Sequence, residues 1–345
     1  MLIRSDEERP AGVGGCRERA PAAAVAPGWL RYWPWVLLGA AVLPGAAVFV
    51  VGRWGEGPGM QAWRTVALAV FLQAVPFMLL GTALSGAINA FVPASWFTRV
   101  LPRRAVLAVP VAGVAGVVLP GCECASVPVA NSLIGRGVEP AAAFAFLLSA
   151  PAVNPIVLTA TAVAFPGRPM MVPARLLASL LVAALMGWLW LWRGKAEWLR
   201  PAVRHTGHRH GHSRWAEFRG GFQHDFLHAG GFLVVGALAA ATFNVAVPPS
   251  VLDAFTGSAW LSVPFLAGLA VLLAVCSEAD AFVAASLTGF SPVARLTFMV
   301  VGPMVDLKLI ALQAGTFGRA FAVRFSTATA FVAIVCSAVI GGVLL

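Results

Sequence analysis

The chain has 345 residues, of which 59% are hydrophobic and only 11% charged, against roughly 25% charged in an ordinary soluble domain. That balance excludes a water-soluble fold. The net charge of +10 suits a nucleic-acid partner in principle, but the basic residues flank apolar runs as membrane topology requires, so the expected partner is the lipid bilayer and no nucleic acid.

In chain order, residues 1–32 form a tail carrying Arg4, Arg9, Arg17, Arg19 and Arg31, which the positive-inside bias places in the cytoplasm. Residues 33–62 hold an extra first transmembrane helix and its loop. A long polar and Ala/Pro-rich stretch precedes this helix, which argues for a retained segment and against a cleaved signal. A first repeat over 63–192 contains apolar runs at 66–92, 104–120, 140–165 and 171–192. A basic linker over 193–221 follows, with Arg193, Lys195, Arg200, Arg204, Arg209, Arg214 and Arg219 against Glu197 and Glu217; it too is expected to be cytoplasmic. A second repeat over 222–345 has runs at 222–248, 258–276, 296–315 and 325–345. Most of these runs approach or exceed the roughly 18 to 20 residues that cross a bilayer core. The fold class is therefore an all-α, polytopic membrane bundle, multi-pass in the cytoplasmic membrane.

The two repeats are visible as matched residues. Cys124, Gly137, Pro140, Phe146, Pro151 and Asn154 return 152 residues later as Cys276, Gly289, Pro292, Phe298, Pro303 and Asp306. Phe71, Phe77, Gly81 and Asn89 return 155 residues later as Phe226, Phe232, Gly236 and Asn244. The loop near residue 100 is basic, with Arg99, Arg103 and Arg104, whereas its mate at 248–257 carries Asp253 and no cation. Equivalent loops on opposite sides require an odd number of crossings per repeat, which is the inverted arrangement of secondary transporters. Counting 122–136 and 277–289 as half-length crossings gives about 11 membrane segments; reading them as re-entrant gives nine.

Chemistry is concentrated where the backbone breaks. Pro120-Gly121-Cys122-Glu123-Cys124 and its mate Cys276-Ser277-Glu278-Ala279-Asp280 put thiols and acids on irregular backbone, which at membrane depth must be buried in protein or line a cavity. A charge at that depth costs about 2.5 to 3.5 kcal/mol on insertion scales, so Glu123, Glu278, Asp280, Asp306 and Lys308 need a reason: a substrate or proton site, or a structural ion pair, for example of Asp306 or Glu278 with Lys308 or Arg295. Pro151 to Pro155 and Pro303 to Asp306 should break two long helices near their centres, with Asn154 and Asp306 facing one another across the repeat axis. Cys122 and Cys124, with Cys276 from the second repeat, form a candidate three-sulfur site for a soft ion. All six histidines lie between 205 and 228; His205, His208, His210 and His212 form a weaker metal candidate in what otherwise reads as a flexible linker. No nucleotide, metalloprotease or triad motif occurs, so neither an enzyme nor a cofactor is expected.

On the residues Gly121 to Pro128, Gly137, Phe146 to Asn154 and Cys276 to Phe282, the chain resembles the predicted permease family that includes the organoarsenical efflux permeases of the ArsP type. The resemblance covers about residues 65 to 340. It implies an inner-membrane permease, with relatives that export trivalent methylarsenicals through cysteine thiols. The resulting expectation is a permease with a central site of Cys122, Cys124, Asn154, Cys276, Glu278, Asp280 and Asp306, moving a small inorganic or organometalloid substrate with protons as the coupling ion. The alternatives are a transporter of another metal or of an anionic or organic solute, a membrane thiol oxidoreductase using Cys122 and Cys124, and a partner subunit of a membrane complex.

Overall fold

The computed structural model describes residues 58–93, 101–102, 104–117, 123–199, 214–246 and 259–345. The tail 1–32, nearly all of 33–62, the middle of the linker and the loop 248–257 lie outside the described residues, as do Cys122 and the histidines from 205 to 212.

Among the described residues the chain is helical and forms no strand. The first half contains α1 (Pro58–Phe91), α2 (Ala105–Ala115), α3 (Glu123–Gly135), α4 (Pro140–Val153), α5 (Pro155–Ala164) and α6 (Met171–Arg193). The second contains α7 (Arg214–Ala246), α8 (Ala259–Leu273), α9 (Asp280–Ser286), α10 (Pro292–Val301), α11 (Leu307–Thr316) and α12 (Arg319–Leu344). Each half thus begins with a helix of more than 30 residues, passes through shorter pieces, and ends with a helix of more than 20. Among the described residues, four stretches are long and apolar enough to cross a membrane: Gly59–Phe91, Pro140–Ala164, Met171–Arg193 and Arg319–Leu344. At 1.5 Å per residue, α3 and α9 reach only about 20 and about 10 Å, short of the roughly 30 Å core.

The run 140–165 is divided where the sequence placed a break. Pro155 removes a backbone donor and starts a new helix at its preferred first position, and α4 and α5 meet at a single extended residue, Asn154. The run 296–315 is divided more widely, with residues 302–306 between α10 and α11. Every residue of α4 from Ala141 to Val153 is buried, as are Leu296 to Val301 of α10; helices apolar on all sides belong inside a bundle. Among the described residues α4 and α10 therefore lie in its interior. Phe144 of α4 stands against Trp190 of α6 and against Phe317, Phe321 and Phe325 of the second half, with centroids 4.8 to 5.5 Å apart, an aromatic cluster that binds the halves beyond simple area burial.

The long helices α1 and α7 pack side by side in opposite directions. Trp63 donates to Thr242 at 3.1 Å near one end, Ser85 donates to Asp225 at 2.6 Å further along, and Phe91 meets Phe218 at the other end. The two helices that the sequence pattern matches at a spacing of 155 thus run antiparallel.

Candidate functional site

Among the described residues, two buried ion pairs cross from one half to the other. The short helix α3 of the first half packs on α11 of the second, and the short helix α9 of the second packs on α5 of the first. At the first contact Lys308 Nζ lies 2.9 Å from Glu123 Oε1, 3.5 Å from Asp306 Oδ2 and 3.9 Å from Cys276 Sγ. At the second, Arg175 of α6 grips Asp280 with two parallel bonds of 2.9 and 2.7 Å, while also donating to Thr161 Oγ1 at 2.9 Å and to the Ser277 carbonyl at 3.4 Å. Glu123, Asp280, Asp306, Lys308 and Arg175 are each no more than 1% exposed. Burial of this degree requires pairing, because each charge leaves water at a penalty of several kcal/mol.

The local backbone explains how these groups arrive there. Residues 274–279 form a non-helical turn between α8 and α9, entered through Ala274 at φ +48°, a left-handed conformation rare for a residue with a Cβ. The Cys276 carbonyl accepts from the amides of Ala279 and Asp280, so the turn closes on itself while Cys276 and Ser277 are buried and Glu278 is half-buried. On the other side of the site, Gly81 of α1 lets α3 approach: a Cβ there would come within 2.4 Å of Ala125 Cα. Small residues at membrane helix contacts allow this closeness, and Ala125 is the immediate neighbour of Cys124.

Asn154 and Asp306 occupy matching positions with matching local duties. Asn154 Oδ1 accepts from the Val157 amide at 2.9 Å, and Asp306 Oδ1 accepts from the Leu309 amide at 2.6 Å. Each caps the half-helix that follows, satisfying an amide that the break would otherwise leave open. Asp306 turns its second oxygen to Lys308, whereas Asn154 donates back to the Ala150 carbonyl at 3.4 Å. Asn154→Ala is expected to lower stability by about 1 kcal/mol through loss of the cap, read as a lower thermal midpoint in detergent, with Asn154→Asp retaining most of it.

The predicted site residues are therefore placed unequally. Cys276 and Asp306 contact Lys308, and Cys124 and Glu278 lie within reach of its charge. Asp280 belongs to the separate pair with Arg175. Cys122 and the four linker histidines lie outside the described residues, among which no three His, Cys, Asp or Glu side chains gather as a metal cage. Arg295 instead donates to the carbonyls of Phe290 and Thr288. Sequence reading missed Arg175 and Thr161, although an arginine inside the apolar run 171–192 was the available signal. It also missed Ser85, Asn89, Ser132 and Asp225, which form a hydrogen-bonded network between α1, α3 and α7.

Comparison with known proteins agrees with a membrane permease. The chain matches a family described as a predicted permease over residues 60–342. It is similar to the UPF0718 protein YcgR of Bacillus subtilis, 33% identical over 263 residues, which are 75% of this chain and 90% of the relative. It is also similar to a putative two-component membrane permease complex subunit of Streptococcus mutans, 29% identical over 285 residues, 80% of this chain and 94% of the relative. No solved structure gives a significant match.

Proposed function

The chain belongs to the ArsP_1 family of predicted permeases, and from that premise we propose that it is a secondary transporter of the cytoplasmic membrane that exports a soft metal or metalloid species such as a trivalent organoarsenical. The observation that carries this reading is the burial of Cys124 and Cys276, one from each half, beside the Glu123–Lys308 pair. Thiol sulfur selects soft ions, and Cys122, two residues before Cys124, supplies the third sulfur. Glu123, Glu278, Asp280 and Asp306 provide the charge that takes up protons or offsets a cationic cargo. The antiparallel course of α1 and α7 supports inverted repeats, with the site at their interface as in other transporters of that design. The basic loops put the N-terminal tail and the His-rich linker in the cytoplasm.

Cells expressing the protein are expected to accumulate less of a trivalent arsenical than cells without it, and Cys122→Ser/Cys124→Ser/Cys276→Ser to lose that effect at equal membrane abundance. Normal export by the triple variant would refute the thiol mechanism. The likeness to a Streptococcus protein described as a subunit of a two-component membrane permease complex supports a second reading, that the permease works with a further membrane component. Purification of the tagged chain from its native membrane in mild detergent tests this, since a stoichiometric partner should accompany it.

A further inference from the structure

We propose that Lys308 is a tethered cation: its ammonium occupies the cargo position in the empty protein, and cargo and ammonium are alternative occupants of one site. The inference rests on the Lys308 cluster being the transport site and adds the identity of the competitor within it.

Two carboxylate oxygens and a sulfur, from Glu123, Asp306 and Cys276, surround Nζ at 2.9 to 3.9 Å. That is the kind of mixed oxygen and sulfur set a cationic or thiophilic cargo would meet, and an ammonium has three donors with which to satisfy it. The surroundings are left with more acceptor capacity than one ammonium uses. Among the described residues Glu123 Oε2 and Glu278 Oε2 are buried without a hydrogen-bond partner, Asp306 Oδ2 is held only by the 3.5 Å ion pair with Lys308, and three carboxylates (Glu123, Asp306, Glu278) lie within reach of this one cation. A pair serving stability alone gains little over apolar packing of the same volume, and it does not call for a third acid.

The placement of Lys308 lets it leave. It is the second residue of α11, immediately after the break at 302–306, and its charge sits on a flexible four-carbon stem. Glu123 and Cys124 belong to the first half, whereas Cys276, Asp306 and Lys308 belong to the second. Cargo that takes the thiols and Glu123 therefore releases one of the two ion pairs between the halves, while Arg175–Asp280 remains. After cargo departs, the lysine returns and neutralises the acids, so the empty carrier reorients without a co-transported cation.

The test uses the full chain purified in detergent. Lys308→Ala should melt lower than the wild type and recover in a saturable manner with ethylammonium chloride, which fits the vacated stem and charge, but not with sodium chloride or tetraethylammonium; the wild type should not respond. In a parallel measurement on the wild type, acetylation of Lys308 by acetic anhydride, read by mass spectrometry, should be slow and rise several-fold when phenylarsine oxide is bound. A folded Lys308→Ala that ignores ethylammonium overturns the proposal, as does unchanged acetylation with phenylarsine oxide demonstrably bound. If phenylarsine oxide does not bind, the soft-cargo reading fails alone and the ammonium experiment still decides. Should Lys308→Ala not fold, Lys308→Ala/Glu123→Gln removes the pair together, and the remaining Asp306 and Glu278 should still give a weaker ethylammonium response; its absence overturns the proposal.

Discussion

Arg175→Leu is expected to destabilise the protein by about 3 to 5 kcal/mol, the usual loss when one member of a buried ion pair is removed. Asp280 is 1% exposed and receives both of its strong bonds from this guanidinium, so the substitution leaves a carboxylate in the bundle interior with neither water nor a cation. The same arginine holds Thr161 of α5 and the Ser277 carbonyl of the turn, and its loss releases the contact between α9 and α5. Replacing the pair as a unit, Arg175→Met with Asp280→Leu, should recover most of the stability, because the penalty lies in the orphaned charge and not in the absence of the bond. Thermal unfolding in detergent, followed by tryptophan fluorescence, distinguishes the cases. A single variant as stable as the wild type would show that the pair does not form.

Gly81→Leu is expected to disable transport and to lower stability by about 1 to 3 kcal/mol or more, as overpacking does in a close-packed interior. The obstruction is backbone: a Cβ at this position meets the Cα and carbonyl oxygen of Ala125 at 2.4 and 2.9 Å, and neither can rotate away. The start of α3 must then move, and with it Cys124 and the Glu123 carboxylate that reaches Lys308. Gly113→Ala is the matched control, since nothing lies within 4 Å of a Cβ there, and it should retain both stability and transport. If Gly81→Leu transports normally, α1 does not set the position of α3.

The membrane class and the helix breaks were legible because each depends on local sequence properties: apolar run length and proline's missing donor. Asn154 is a good example, since an Asn followed by Pro both ends one helix and caps the next. Lys308 was recognisable as a charge out of place, and one of the partners weighed for it, Asp306, lies beside it at 3.5 Å. Its closest partner, Glu123, comes from 185 positions away, and no local pattern joins the two.

Repeat symmetry by itself does not predict the ion pairs, which join positions that are not repeat mates: Glu123 with Lys308, and Arg175 with Asp280. Matched positions such as Asn154 and Asp306 carry different side-chain chemistry in the two halves, so the sequence by itself determined the kinds of groups that enter the interior. Only tertiary packing decided which meet. The antiparallel course of α1 and α7, the close approach at Gly81 and the crossing of α3 to α11 and α9 to α5 bring together charges from different halves of the chain. The desolvation penalty on each then leaves pairing across the halves as the stable arrangement.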